Sequence, residues 1–219
     1  MSTTYNRLLA YGSSPIDGTG LGTSKSPAKA FPCIVALKLN LIYECRAKPI
    51  TSNAKIARKI ISSQYTDADF VFVMFTALNR YEFKTEHGWN GFTINSNQDV
   101  GMVREWLNGP AKLEYTEIYT TLQSIILAQS FLKKRNLPYL FSFDNNYLID
   151  SYVFNNPDAY IAGLKESIEW DKFQWFDGSG FVNWARDTNL PFNDLHPNEE
   201  AQTVAANYVL SNWQDAFLL

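Results

Sequence analysis

The sequence predicts an α/β fold with a mostly parallel central sheet. Three observations carry that prediction. Apolar strand-like runs alternate with helical periodicities from end to end. One run, Phe70-Val71-Phe72-Val73-Met74-Phe75, is apolar at every position, as expected of a strand covered on both faces. The loops at Ser14, Asn79 and Asp144 each follow a strand-like run and so share one edge of the sheet.

The elements follow in order. Arg7 to Tyr11 is a short apolar run stopped by Gly12, a strand entering a loop, and residues 13–26 read as a long Gly/Ser/Thr/Pro loop. A helix follows from Pro27 or Pro32 to Leu39, since proline is tolerated in a first turn. Ile42 to Cys45 is a second strand. Ser52 or Asn53 can cap a helix to Ile61, whose face is marked by Ile56, Ile60 and Ile61. Residues 70–75 are the third strand. Residues 81–110 are polar and rich in Asn and Gly, and are expected as an irregular insertion over the sheet. Tyr115, Ile118, Leu122, Ile125, Ile126 and Phe131 recur at helical spacing and mark a long helix to Arg135. Leu137 to Phe143 is the fourth strand, Asp158 to Trp170 a helix and Phe173 to Phe176 a fifth strand. A last helix from Asn198 carries Ala201, Val204, Ala205, Tyr208, Val209 and Trp213 on one stripe.

Composition narrows the function classes. A chain of 219 residues, 46% hydrophobic and 19% charged, suits one domain spanning 1–219 that builds its core without staples. Net charge is −3, and the densest basic cluster, Lys133-Lys134-Arg135, lies at a helix end where cations suit the macrodipole. Nucleic acid is therefore not an expected partner. No apolar run reaches the ~18 residues of a membrane span, and the first residues lack the pattern of a signal peptide, which points to synthesis in the cytoplasm. Cys33 and Cys45 lie in apolar segments and are expected as two buried thiols. No cluster has metal-ligand spacing and no glycine-rich phosphate loop is present, so neither metal nor cofactor is expected.

The chemistry concentrates at the two ends. Gly12-Ser13-Ser14 follows the first strand, and Asp194-Leu195-His196 precedes the last helix. The chain has two histidines, His87 and His196, and only His196 brings a carboxylate two residues away. In extended chain, residues i and i+2 share a side, so Asp194 can meet His196. An activated serine needs a base, an orienting group and oxyanion donors. Ser14 fits the serine, His196 the base and Asp194 the orienting group. The Ser14 backbone N–H, a backbone N–H at Thr51-Ser52 and the Asn79 amide fit the last. Ser14, Asn79 and Asp144 all follow strands, and ligands in such sheets sit outside the carboxyl ends of the strands.

These residues resemble the blocks of the SGNH (GDSL-type) hydrolases. Gly12-Ser13-Ser14 with Asp17-Gly18 matches Gly-Asp-Ser, with Ser13 in place of the aspartate. Ala47-Lys48-Pro49-Ile50-Thr51-Ser52-Asn53 keeps the frame of the second block, with Ile50 in place of its glycine. Ala77-Leu78-Asn79-Arg80 keeps the asparagine of Gly-x-Asn-Asp and loses the glycine and the final aspartate. In the last block Asn193 stands three before His196 and Asp194 two before, so either could orient the ring; Asp194 is favoured. The resemblance covers roughly residues 7–213. It implies a flavodoxin-like three-layer α/β/α sandwich on a five-stranded sheet. It also implies a serine esterase or deacetylase, with an ester substrate such as an O-acetylated carbohydrate. Trp89 and Trp184 are expected to rim the site and stack on a sugar, with core packing as their alternative. His87 is expected at the surface, and Arg80-Tyr81-Glu82 to hold a strand-end ion pair. The lost block residues favour a second reading, an inactive binding or structural module of the kind found with degraded blocks among tailed-phage proteins. Association into a homo-oligomer or a virion is left open by the sequence.

Overall fold

The computed structural model describes residues 5–21, 26–86, 88–93 and 113–213. Four strands, β1 (Arg7–Tyr11), β2 (Ile42–Cys45), β3 (Asp69–Phe75) and β6 (Tyr139–Phe143), form a parallel sheet in the order β2-β1-β3-β6. The fifth strand of the sequence reading shrinks to one parallel bridge between Phe141 and Phe173, with the Gln174 N–H donating to the Phe141 carbonyl at 2.8 Å. The chain turns back at once, Phe176 and Ser179 exchanging backbone bonds, so the pairing cannot continue.

Strand alternation builds the layers. Leu9, Tyr11, Val71, Val73, Phe75, Phe141 and Phe143 face one side of the sheet. There they meet α3 (Asn53–Ile61), α4 (Leu113–Lys134) and α6 (Ala159–Glu166) through residues such as Ile56, Ile118, Leu122 and Ile161. Leu8, Ala10, Phe70, Phe72, Met74 and Leu140 face the other side. They meet α2 (Phe31–Lys38), α7 (Phe181–Asp187) and α8 (Glu199–Asn212). The unbroken apolar run of β3 is thus explained by two dry faces, each buried phenylalanine contributing about 2–3 kcal/mol of burial. Helix starts follow the sequence: Ser52 caps α3 by accepting from the Lys55 N–H, and Asn198 caps α8 by accepting from Ala201 N–H.

Three local expectations change. The 13–26 loop contains a short helix, α1 (Ser14–Asp17), with Pro15 in its first turn. The segment expected to be irregular is a hairpin as far as it is described, β4 (Arg80–Thr85) paired antiparallel with β5 (Gly88–Thr93). It stands apart from the central sheet and docks on α3, where Arg58 pairs with Glu82 and lies 3.7 Å from the Trp89 ring centroid. The remainder of that segment, with Trp106, and His87 lie outside the described residues. Cys33 is buried but Cys45 is only half-buried, and the two form no disulfide. Among the described residues no helix is long and apolar enough to cross a membrane.

Candidate active site

The carboxyl ends of β1, β3 and β6 gather the polar residues. Gly12 ends β1 where space allows no side chain: a Cβ there would stand 2.9 Å from Ile16 Cγ1 and 3.0 Å from the Met74 carbonyl. The chain passes through that gap and turns into α1, which puts Ser14 at the helix start. Ser14 is 7% exposed, and its hydroxyl makes no hydrogen bond among the described residues. The two-strand hairpin of β7 (Phe192–Asn193) and β8 (His196–Pro197) packs β8 against α1. Gly20 lies flat on the imidazole-bearing residue, a Cβ at Gly20 falling 3.0 Å from His196 Cβ. The Asn193 amide donates to the Gly20 carbonyl at 2.8 Å and so ties the histidine hairpin to the loop that follows Ser14.

The structure thus brings the elements carrying Ser14 and His196 together, but their side chains make no hydrogen bond with each other. The His196 ring is half-buried and hydrogen-bonds to no backbone carbonyl among the described residues. Burial lowers its pKa below the ordinary histidine value. Arg80 lowers it further, and the Asp194 charge pulls it up. Asp194 does not sit in extended chain as its spacing suggested. Asp194 and Leu195 are the two loop residues between the Asn193–His196 pair, and Asp194 is exposed with φ 54°. Aspartate tolerates this left-handed conformation. Asp194 acts on His196 by charge, without a hydrogen bond; Asn193, the other candidate, is committed to Gly20.

Two of the oxyanion candidates, Ser14 and Thr51, lie on neighbouring loops. The Lys48 N–H donates to the Gly12 carbonyl at 3.3 Å, which places the second block beside the first. Thr51 is fully buried, and its hydroxyl closes a turn on the Lys48 carbonyl at 2.7 Å. Ile50, in the glycine position, keeps a left-handed backbone at φ 52°, a strained state for a β-branched side chain. The backbone N–H groups of Ser14 and Thr51 have no acceptor among the described residues. Asn79 lies at the edge of a cleft of about 360 Å³, which it shares with Leu78, Tyr147, Glu114 and Glu117.

A second set of residues had no local signal. Arg80 Nη1 donates to Ser13 Oγ at 2.7 Å, and Thr76 Oγ1 donates to Asp144 Oδ2 at 2.8 Å. The Ser13 and Thr76 hydroxyls lie 3.1 Å apart, and Ser13 Oγ stands 3.4 Å from Asp144 Oδ2. Both hydroxyls point their protons at the carboxylate: Arg80 donates to Ser13 Oγ, and Ser13 Oγ and Thr76 Oγ1 each donate to Asp144 Oδ2. Burial raises the Asp144 pKa, against the pull of Arg80, Thr76, Ser13 and Asn145. Asn53 fixes the same corner. Its side chain accepts from the Thr76 N–H at 2.7 Å and donates to the Thr76 carbonyl at 3.1 Å. The only hint in the sequence was that Asp144, like Ser14 and Asn79, follows a strand. Ser13 and Arg80, both departures from the SGNH blocks, are in direct contact.

The aromatic expectations divide. Trp184 is no rim residue. It is 6% exposed, packs on Phe176, Phe181 and Tyr208, and donates to Asp177 Oδ2 at 3.0 Å. α7 turns it inward, which is the core-packing alternative of the sequence reading. Trp89 is exposed on the hairpin with one face against Arg58. The ion pair expected at Arg80-Tyr81-Glu82 is made by Glu82 with Arg58, while Arg80 reaches Ser13. Among the described residues no group of His, Cys, Asp and Glu side chains could hold a metal.

No family model and no curated protein matches the sequence. Solved structures do. The chain aligns with the psychrotrophic esterase EstA from Pseudoalteromonas sp., a structure inhibited by monoethylphosphonate. That match has TM-score 0.56 and 13% identity, over 97% of this chain and 98% of the other. It aligns with the acetyl xylan esterase Est2A from the rumen bacterium Butyrivibrio proteoclasticus at TM-score 0.51 and 15% identity, over 96% of this chain and 65% of the other. A two-domain esterase active on acetylated mannans gives TM-score 0.53 and 11% identity, over 97% of this chain and 50% of the other. None of these supports a phage origin. The chain carries the α/β fold of these esterases, the architecture implied by its resemblance to the SGNH hydrolases.

Proposed function

We propose that the chain is a serine esterase that deacylates an ester, an O-acetylated carbohydrate being the favoured class, with residues 1–219 acting as one domain. Ser14 Oγ attacks the ester carbonyl while His196 takes its proton. The N–H groups of Ser14 and Thr51 and the Asn79 amide receive the oxyanion. His196 then gives the proton to the departing alcohol, and water, activated by the same ring, releases the acid and frees Ser14. Asp194 lends charge to the imidazolium. The observation that carries this reading is the packing of the Ser14 helix against the His196 strand, with both side chains unspent on other partners. Esterases active on acetylated xylan and mannans among the structures of like fold support the carbohydrate class.

The missing Ser14–His196 hydrogen bond favours one other reading, an inert binding module on the same fold. Catalytic hydrogen bonds are often long without substrate and tighten in the complex. Release of acetate from 4-nitrophenyl acetate and from acetylated xylan separates the two readings. The esterase reading expects turnover that falls about 10⁴-fold or more in Ser14→Ala. No turnover by folded wild type on either substrate, or turnover unchanged in Ser14→Ala, overturns it.

A further inference from the structure

Arg80 is out of keeping with the other part-buried arginines. Arg7 holds Glu44 and Asp69, Arg46 holds Glu44, and Arg58 holds Glu82. Arg80 is as sheltered as these, yet no carboxylate oxygen lies within ion-pair distance of it among the described residues. One N–H of its guanidinium goes to Ser13 Oγ at 2.7 Å, and the rest of the fork has no protein acceptor there. Ser13 immediately precedes Ser14, so this cation is anchored one residue from the proposed nucleophile. A guanidinium fork held in place with donors to spare is the side chain that best matches a carboxylate.

We infer that Arg80 is a specificity-determining residue that binds a carboxylate on the substrate next to the scissile ester, so that acylated acidic sugars are preferred over neutral ones. This rests on the esterase reading of the Ser14 site. The charge pattern gives the substrate a direction. The cleft beyond Asn79 carries Glu114, Glu117 and Asp150 and repels an anion, whereas the Arg80 side attracts one. Asp144 does not cancel that attraction by contact. Its Oδ2 is taken by Thr76 and its Oδ1 by the Asn145 amide. The same cation is felt at His196.

The test separates binding from turnover. Methyl glucuronide and methyl glucoside are titrated by calorimetry into wild type, Arg80→Gln and Arg80→Lys, each checked for folding by circular dichroism. Hydrolysis of the O-acetyl derivatives of the two sugars is measured in parallel. The inference expects the glucuronide to bind wild type at least tenfold more tightly than the glucoside. It expects the preference to weaken with added salt, to vanish in Arg80→Gln and to survive in part in Arg80→Lys. Equal binding of the two sugars by wild type, or a preference that persists in Arg80→Gln, overturns it. Should Arg80→Gln not fold, loss of the preference in Arg80→Lys at high salt supports the inference, and a salt-independent preference overturns it. Hydrolysis without the binding preference leaves the esterase standing and removes the role of Arg80; the preference without hydrolysis does the reverse.

Discussion

Ser13 is held by Arg80, Thr76 and Asp144, whereas Ser14, one residue further on, makes no side-chain hydrogen bond among the described residues. Both hydroxyls are buried or nearly so, at 1% and 7% exposure. The difference is one of placement. Ser13 turns inward to the ends of β3 and β6, where its bonds fix the turn. Ser14 begins α1 on the side of β8. A reacting group is best placed when its neighbours, rather than the group itself, supply the anchoring. On the proposed reading the two neighbouring serines do separate jobs, rigidity at Ser13 and chemistry at Ser14.

The largest effect expected on the reactive side is at His196. His196→Ala lowers kcat/KM for 4-nitrophenyl acetate by about 10⁴-fold, with thermal unfolding little changed, since the half-buried ring has no hydrogen bond to lose. A fall below tenfold places the base elsewhere.

On the anchored side, Thr76→Val keeps the shape and removes the bond to Asp144. It should cost about 2 kcal/mol in urea unfolding near neutral pH. The sign with pH follows from Asp144. Its folded pKa is raised, so the stability it contributes is fully present below its unfolded pKa of about 3.9 and is lost as pH rises through the folded value. Thr76 stabilises the ionised form, so the Thr76→Val penalty grows from acid toward neutral pH. A penalty independent of pH contradicts the direction given for the network.

A smaller effect joins the two sides. Burial and Arg80 hold the His196 pKa below 6.5, against Asp194. The acid limb of kcat/KM reports the free base and should lie below pH 6.5. In Arg80→Gln it moves to higher pH, and in Asp194→Asn to lower pH. The smallest effect concerns Ile50. It is exposed, and its left-handed backbone costs about 1–2 kcal/mol that glycine avoids, offset by roughly 0.5–1 kcal/mol of chain entropy. Ile50→Gly should stabilise by about 0.5–1 kcal/mol in urea; destabilisation would show that the side chain packs against something the fold needs.

What the sequence made legible was periodic or punctuated. The run Phe70–Phe75 announced a strand with two dry faces, the spacing from Tyr115 to Phe131 announced α4, and Gly12 marked the strand end that bears Ser14. What stayed hidden was non-local. Arg80 and Ser13 meet across 67 positions and Ser13 and Asp144 across 131, and no local pattern encodes such pairs. The hairpin β4–β5 hid because its strands are mixed polar segments that lie off the core sheet. Asp194 misled because spacing alone cannot tell extended chain from the two loop residues of a hairpin.

The measurement that tests the account most directly is fluorophosphonate labelling read by intact mass on wild type, Ser13→Ala and Ser14→Ala. The reagent bonds to an activated serine oxygen with loss of fluoride. The account predicts one adduct on wild type, an adduct that persists on a less stable Ser13→Ala, and none on a fully folded Ser14→Ala. Labelling that survives in Ser14→Ala, or no labelling of folded wild type between pH 6 and 9, contradicts the assignment of Ser14 as the reactive hydroxyl of this edge.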